Sequence, residues 1–257
     1  DNSTQVLAAA VAQRTTRIKI GTAGSIVPFN HPLRTAGDFA LVDTLVQAFD
    51  EPFADASALA TYQVCALARE RVTVGLSGDG ADEAMAGYRR YKFHAAEARV
   101  RSMIPDALRA NVFGTLGSVY PKADWAPRFL RAKTTLLGIA SSGEESYARA
   151  VGVTPPALRE ALYSDTMVKR LAGHRGEDRY VATMRDAPAR SPLDAAQYAD
   201  FKHWLPGDIL TKVDRTSMAV SLEAREPLLD HRLIEFGARL PHRQRLRGTT
   251  GKWLMKH

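Results

Sequence analysis

Val72-Thr73-Val74-Gly75-Leu76-Ser77-Gly78-Asp79-Gly80-Ala81-Asp82-Glu83-Ala84-Met85-Ala86-Gly87-Tyr88 is an apolar run that breaks into a glycine-rich acidic loop and resumes as a helix. Gly78 and Gly80 give the loop backbone conformations closed to other residues. A helix start behind such a loop exposes amides that attract anions. Asp79, Asp82 and Glu83 add hard oxygen donors of the type that hold Mg2+ beside a nucleotide rather than in an all-protein cage. The stretch therefore reads as a nucleotide and metal site. Its plainer alternative is a strand-to-helix turn in which an acid caps the helix.

The flanking sequence sets this loop in an α/β frame. Arg17-Ile18-Lys19-Ile20 reads as a short strand, and residues 22–37 have loop composition. From Asp38 an amphipathic helix carries Phe39, Val42, Leu45, Val46 and Phe49 on one face. Ser57 to Arg69 reads as a second helix leading into strand Val72 to Leu76. Alternating helix and strand argues for a parallel sheet, whose ligands bind at the carboxyl ends of the strands. Beyond residue 81 no strand signal is evident. Helix starts are signalled at Thr154-Pro155 and Ser191-Pro192-Leu193-Asp194, and Asp230 reads as an N-cap. The expected division is an α/β nucleotide-binding part over 1–90 and a mainly helical part over 91–257. Trp125, in the loop Pro121 to Pro127, is expected to pack rather than stack on a ligand.

With 257 residues and 45% hydrophobic content, the chain can bury a substantial core. It has no run of about 18 apolar residues, and neither a leader nor a membrane partner is expected, which points to the cytoplasm. Cys65, the single cysteine, is expected to be a small buried residue. The net charge of +7 comes with no nucleic-acid motif around Arg89-Arg90 or Arg239 to Arg247. A solvated basic surface, or attraction for a polyanionic nucleotide, is the economical reading, and a nucleic-acid partner is not expected. The seven histidines lack zinc-site spacing.

Three further segments agree with the loop: Phe49-Asp50-Glu51-Pro52-Phe53-Ala54-Asp55-Ala56-Ser57-Ala58-Leu59, then Leu205-Pro206-Gly207-Asp208-Ile209-Leu210-Thr211-Lys212-Val213-Asp214-Arg215-Thr216-Ser217-Met218, and Leu222-Glu223-Ala224-Arg225-Glu226-Pro227-Leu228-Leu229-Asp230. Their order resembles the synthetase domain of the asparagine synthetase family, which includes the β-lactam synthetases. The resemblance covers most of residues 39–257. It is nearest to the asparagine-synthetase-like amidotransferases found with bacterial exopolysaccharide and exosortase systems.

The resemblance implies an adenine nucleotide alpha hydrolase-like fold of the PP-loop ATPase type, a parallel sheet with a large mainly helical portion. It implies an enzyme in which ATP adenylates a carboxylate, aspartate or a related acid, with release of pyrophosphate. Ammonia from a glutaminase domain then attacks to give an amide. ATP and Mg2+ are the implied cofactors and a homodimer the implied assembly. The alternative is a non-catalytic nucleotide-binding or assembly module of the same fold.

By position in the family motifs, Ser77, Gly78 and Gly80 belong to the nucleotide-contacting loop, and Ile20 matches the strand that contacts adenine, although a buried strand residue would look the same. Asp79 stands where asparagine synthetases carry Glu and β-lactam synthetases Tyr, at the position that supports attack on the adenylate. A carboxylate there can orient an amine or take its proton. Asp82 matches one implied metal ligand. Asp1 reads as the other or, equally, as a helix cap. Lys212, Asp214 and Arg215 are implied on the substrate side, against a plainer reading as salt bridges supporting a helix. Glu223 and Arg225 read as such a bridge. The resemblance sets the glutaminase domain and the Ser-Gly-Gly part of the pyrophosphate loop before this chain, and an active-site lysine beyond His257. The chain thus reads as truncated at both ends, with impaired adenylation on its own.

Overall fold

The computed structural model describes residues 41–105, 108–120 and 133–257. Asp1, Ile20 and its strand, the loop 22–37, the start of the first helix and Trp125 lie outside the described residues. In chain order the principal elements are α1 (Val42–Phe49), α2 (Ser57–Arg69), β1 (Val74–Leu76), α3 (Ala81–Ala84), α4 (Arg89–Met103), α5 (Lys133–Ala140), α6 (Gly143–Val151), α7 (Asp178–Arg185), α8 (Pro192–Ala199), α9 (Thr211–Met218), β2 (Glu223–Arg225), α10 (His231–Arg239), β3 (Leu246–Arg247) and β4 (Thr250–Gly251). An eleven-residue π-helical run, Asp200–Leu210, contains Pro206. No helix among the described residues is long and apolar enough to cross a membrane.

The chain divides into two compact units, Asp1–Asp79 with Leu205–Leu228, and Gly80–Trp204 with Leu229–His257. In the first, α1 buries Val42, Leu45 and Phe49 at helical spacing and stops at Asp50, which turns left-handed at φ 61°. Phe49 stacks on Phe53 with ring centroids 4.3 Å apart, and Leu45, Ala58 and Leu59 close the cluster. The start of α2 is fixed by Asp55, whose carboxylate accepts from the Ser57 amide at 2.9 Å and the Ser57 hydroxyl at 2.7 Å. Cys65 is buried in α2, and burial raises its thiol above the usual range.

β1 and β2 pair in parallel, Val74 with Glu223, Gly75 with Ala224 and Leu76 with Arg225. Two two-stranded sheets are the extent of sheet structure among the described residues, the other being the β3–β4 hairpin around Gly248 at φ 58°. The strands at 223–225, 246–247 and 250–251 correct the expectation of none past residue 81. A charged-Ala-charged triplet such as Glu223-Ala224-Arg225 carries no β-branched signal, and its register comes from β1 rather than from its own composition. β1 is shorter than the apolar run, and Leu76 is 75% exposed.

The second unit is helical and packs Ala86, Tyr91, Tyr147, Met184, Leu193, Ala196, Ala199 and Leu246 together. Ser191 caps α8 through the Asp194 amide, and Asp230 caps α10 through the Arg232 amide, as their sequences indicate. At 154–156 the helix begins one residue late: Pro155 is the N-cap and Pro156 the first helical residue. Within the core the fully buried Asp200 carboxylate accepts from Tyr91 at 2.5 Å, from Tyr147 at 2.7 Å, from Tyr180 and from Arg90 at 2.8 Å. Burial opposes the charge of Arg90, but Asp200 outweighs it and holds the guanidinium protonated. Burial first, and the Asp200 charge second, keep Tyr91 and Tyr147 as neutral donors. Asp200 thereby takes Arg90 out of the solvated basic surface that the composition implies, and Arg101, held by Glu97, and Arg245, held by Asp194, are withdrawn as well, at 8% and 3% exposed.

Candidate functional site

The first unit carries the opening of the acidic loop. β1 ends where the Ser77 amide donates to the Arg225 carbonyl at 2.8 Å, so the β2 partner sets the point at which the loop leaves the sheet. The Ser77 hydroxyl then donates to Asp79 Oδ2 at 2.5 Å, which ties the two side chains expected to serve nucleotide and chemistry. Gly78 has no left-handed backbone, and a Cβ built there meets nothing within 4 Å among the described residues. Its contribution is open space for close approach rather than the special conformation expected of it.

Glu226 went unremarked in the sequence, although it follows the β2 triplet directly. Burial raises its carboxyl above the usual range, and the negative charges of Asp79 and Asp214 push the same way. Asp214 and Arg215, on α9, are exposed and line an open cavity of about 620 Å³ with Thr44, Gln47 and Ala48 of α1. Neither forms an ion pair with another described residue. Lys212 does: its ammonium lies 2.7 Å from Asp55 Oδ2 and 2.8 Å from Ser57 Oγ, bridging α9 to the start of α2. Glu223 and Arg225 form the exposed bridge their spacing indicates, at 2.7 Å.

The second unit carries the rest of the loop. Gly80 is left-handed at φ 88°, and a Cβ there would sit 2.0 Å from Leu229 Cδ2, so both the turn and the packing require glycine. The single turn α3 follows. Gln197 of α8 anchors it by donating its amide to the carbonyls of Glu83 and Ala84, and Arg245 in turn holds Gln197 and Asp194.

Glu83 points inward. It is fully buried, accepts from the Tyr88 hydroxyl at 2.8 Å, and burial raises its carboxyl above the usual range. This corrects its reading as a metal donor beside Asp79 and Asp82: α3 turns its side chain into the core. Asp82 instead remains partly exposed and pairs through Oδ1 with Lys252 Nζ at 2.9 Å. Lys252 is held left-handed at φ 54°, and its amide donates to the Met85 carbonyl at 2.9 Å. That conformation costs about 1 kcal/mol or more in a non-glycine residue and persists only where its surroundings enforce it.

Lys252 is the residue that sequence reasoning missed. The lysine that the resemblance sets past His257 is a separate expectation, and the Gly251-Lys252 pair after the β3–β4 hairpin carries no local sign of its partner Asp82. Among the described residues no group of three or more His, Cys, Asp or Glu gathers as a metal cluster. The donor set at Asp82 is the sparse one that suits Mg2+ held jointly by a carboxylate and phosphate oxygens.

An asparagine synthase family model matches residues 29–257. A luciferase-like monooxygenase model matches residues 2–47, mostly outside the described residues. The chain is similar to asparagine synthetase [glutamine-hydrolyzing] 1 of Bacillus subtilis (strain 168), 28% identical over 217 residues, 82% of this chain and 32% of the relative. It is 31% identical over 222 residues to a putative asparagine synthetase [glutamine-hydrolyzing] of Mycobacterium tuberculosis (strain ATCC 25618 / H37Rv), covering 84% of this chain and 31% of the relative. A putative asparagine synthetase [glutamine-hydrolyzing] 2 of Methanocaldococcus jannaschii is 32% identical over 182 residues, 69% of this chain and 32% of the relative. No solved structure matches. The chain spans about a third of the length of these curated relatives. Matched over 229 of its residues from 29 to 257, the chain belongs to the asparagine synthetase family, within the synthetase domain.

Proposed function

We propose that this chain is the synthetase part of an ATP-dependent amidotransferase, which adenylates a carboxylate, releases pyrophosphate and passes the activated acyl group to ammonia derived from glutamine. The observation that carries the reading is the family match over residues 29–257. The fold proposed with it is the PP-loop ATPase type, with the β1–β2 pair belonging to a larger parallel sheet.

Ser77, Gly78 and Gly80 would receive the nucleotide, with Ile20 against adenine, and the open space over Gly78 suits a phosphate approaching the backbone. Asp82, with Asp1, would hold Mg2+, which when bound neutralises charge developing on the departing pyrophosphate. Lys252 supplies a fixed cation next to Asp82 and balances its charge. Asp79, oriented by the Ser77 hydroxyl, would position ammonia and accept its proton as the amide forms. Asp214 and Arg215 are the substrate-side candidates, while the ammonium of Lys212 is already engaged by Asp55.

Product analysis tests the reading. Incubation of the full-length protein with Mg-ATP, ammonia and a panel of carboxylates headed by aspartate should yield AMP and pyrophosphate in step with amide. Production of ADP and phosphate would assign a different ligase chemistry. Nucleotide binding with no product across the panel would favour the non-catalytic module.

A further inference from the structure

A cavity of about 490 Å³ lies among α4, α6, α7 and α8 of the second unit, with His94, Arg101, Gly143, Glu144, Met184 and Pro192 in its lining. It contains none of the residues assigned above to nucleotide, metal or substrate. We infer that this cavity is a binding site for a small molecule bearing a primary carboxamide.

Two buried side chains define the chemistry. His94 is 4% exposed and its Nε2 lies 3.1 Å from the Pro192 carbonyl oxygen. A carbonyl only accepts, so Nε2 carries the proton and Nδ1 presents a lone pair. That lone pair has no partner among the described residues. Arg101 is 8% exposed and is fixed through one nitrogen alone, NH2, which donates to Glu97 Oε2 at 2.8 Å and to the Gly138 carbonyl at 2.7 Å. Its Nε and NH1 have no partner among the described residues. Buried polar groups are almost always paired, and those left unpaired in a native fold call for an explanation.

The two groups converge. A Cβ built on Gly143 would lie 3.6 Å from Arg101 NH1 and 3.7 Å from His94 Cε1, and outside its own helix it meets no other described residue within 4 Å. One spot above Gly143 therefore faces both a donor and the edge of the ring that carries the acceptor. A primary carboxamide complements this pair, its oxygen accepting from Arg101 and its amide donating to His94 Nδ1. A carboxylate accepts from Arg101 but has no proton for that lone pair and would leave Nδ1 unpaired; hydrogen phosphate has one, and the lining sets the Arg101 and Arg185 cations against the Glu144 carboxylate, so both anions are tested beside the amide. Burial and the Arg101 charge bring the imidazole down to about 4, which keeps the acceptor in place at neutral pH.

The test is a titration of the chain with propionamide, followed by the ring nitrogen resonances of His94, with propionate and inorganic phosphate as parallel probes. Propionamide should move the Nδ1 resonance, and the two anions should not. Gly143→Ala places a methyl on the convergence point at ordinary contact distances in a helical backbone that accepts it, so the fold and thermal melting should survive while the response to propionamide is lost. An absent response to propionamide, or one that persists in Gly143→Ala, would overturn the inference and leave the unpaired nitrogens to ordered water. A response to propionate or phosphate in place of propionamide would overturn it in favour of an anion site.

Discussion

Lys252 Nζ and Asp82 Oδ1 lie 2.9 Å apart because two glycines leave room for them. A Cβ on Gly87 would sit 1.8 Å from Asp82 Oδ1 and 2.4 Å from Lys252 Cε, and one on Gly251 would sit 2.2 Å from the Ala86 carbonyl. Both partners are only partly buried, so the pair itself contributes about 1 kcal/mol or less to stability. Its place beside the acidic loop is what gives it functional weight. Lys252→Met should therefore leave the urea midpoint nearly unchanged while lowering amide formation by about tenfold or more. Unaltered turnover would remove Lys252 from the site.

The turn at Gly80 makes a separate demand. Its φ of 88° and the 2.0 Å approach of Leu229 to a built Cβ mean that Gly80→Ala forces both a strained backbone and a side-chain displacement. A loss of about 1–3 kcal/mol is expected from equilibrium denaturation. Gly78→Ala, which meets open space, should leave stability near that of the parent and act on ATP affinity instead.

Asp200 gathers three tyrosine hydroxyls and Arg90 in the second unit with no solvent exposure. Its removal strands a buried guanidinium, and loss of one partner of such a pair typically costs about 3–5 kcal/mol. Asp200→Ala should show that loss in denaturant unfolding. A change under about 1 kcal/mol would mean that the cluster is solvated in solution.

His94 supplies the pH dependence. Its folded pKa falls to about 4 from 6.5, through burial first and the Arg101 charge second, while the Pro192 carbonyl, Glu144 and Asp200 oppose the shift. Unfolded chains therefore bind the proton that the folded chain refuses, so this contribution is complete above pH 6.5 and is lost as pH falls towards 4. The lowering from 6.5 to about 4 corresponds to about 3 kcal/mol. His203 and His242 are shifted in the same direction. Comparison of His94→Gln with the parent between pH 7 and pH 4.5 isolates the effect: the variant should lose less stability over that interval. Equal slopes would refute the assignment.

Much of this was legible in the residues. Periodicity placed α1 and α2, the Ser-Pro and Asp signals placed the starts of α8 and α10, and the break after Leu76 placed the loop. Each of these is written locally. What was hidden depends on partners far along the chain: Glu83 turns inward because Tyr88 and the buried core receive it, Arg90 is consumed by an aspartate at 200, and β2 takes its register from β1. Composition could not separate a solvated arginine from a buried one, and no local pattern told that Lys252 would meet Asp82.

Adenylation of a carboxylate at this loop is read by carboxylate-dependent exchange of labelled pyrophosphate into ATP, measured on the full-length protein. Exchange that requires both Mg2+ and a carboxylate is the expected result, with Asp79→Asn leaving the fold intact and crippling amide formation. Absence of exchange across the carboxylate panel, while Mg-ATP still binds, would contradict it.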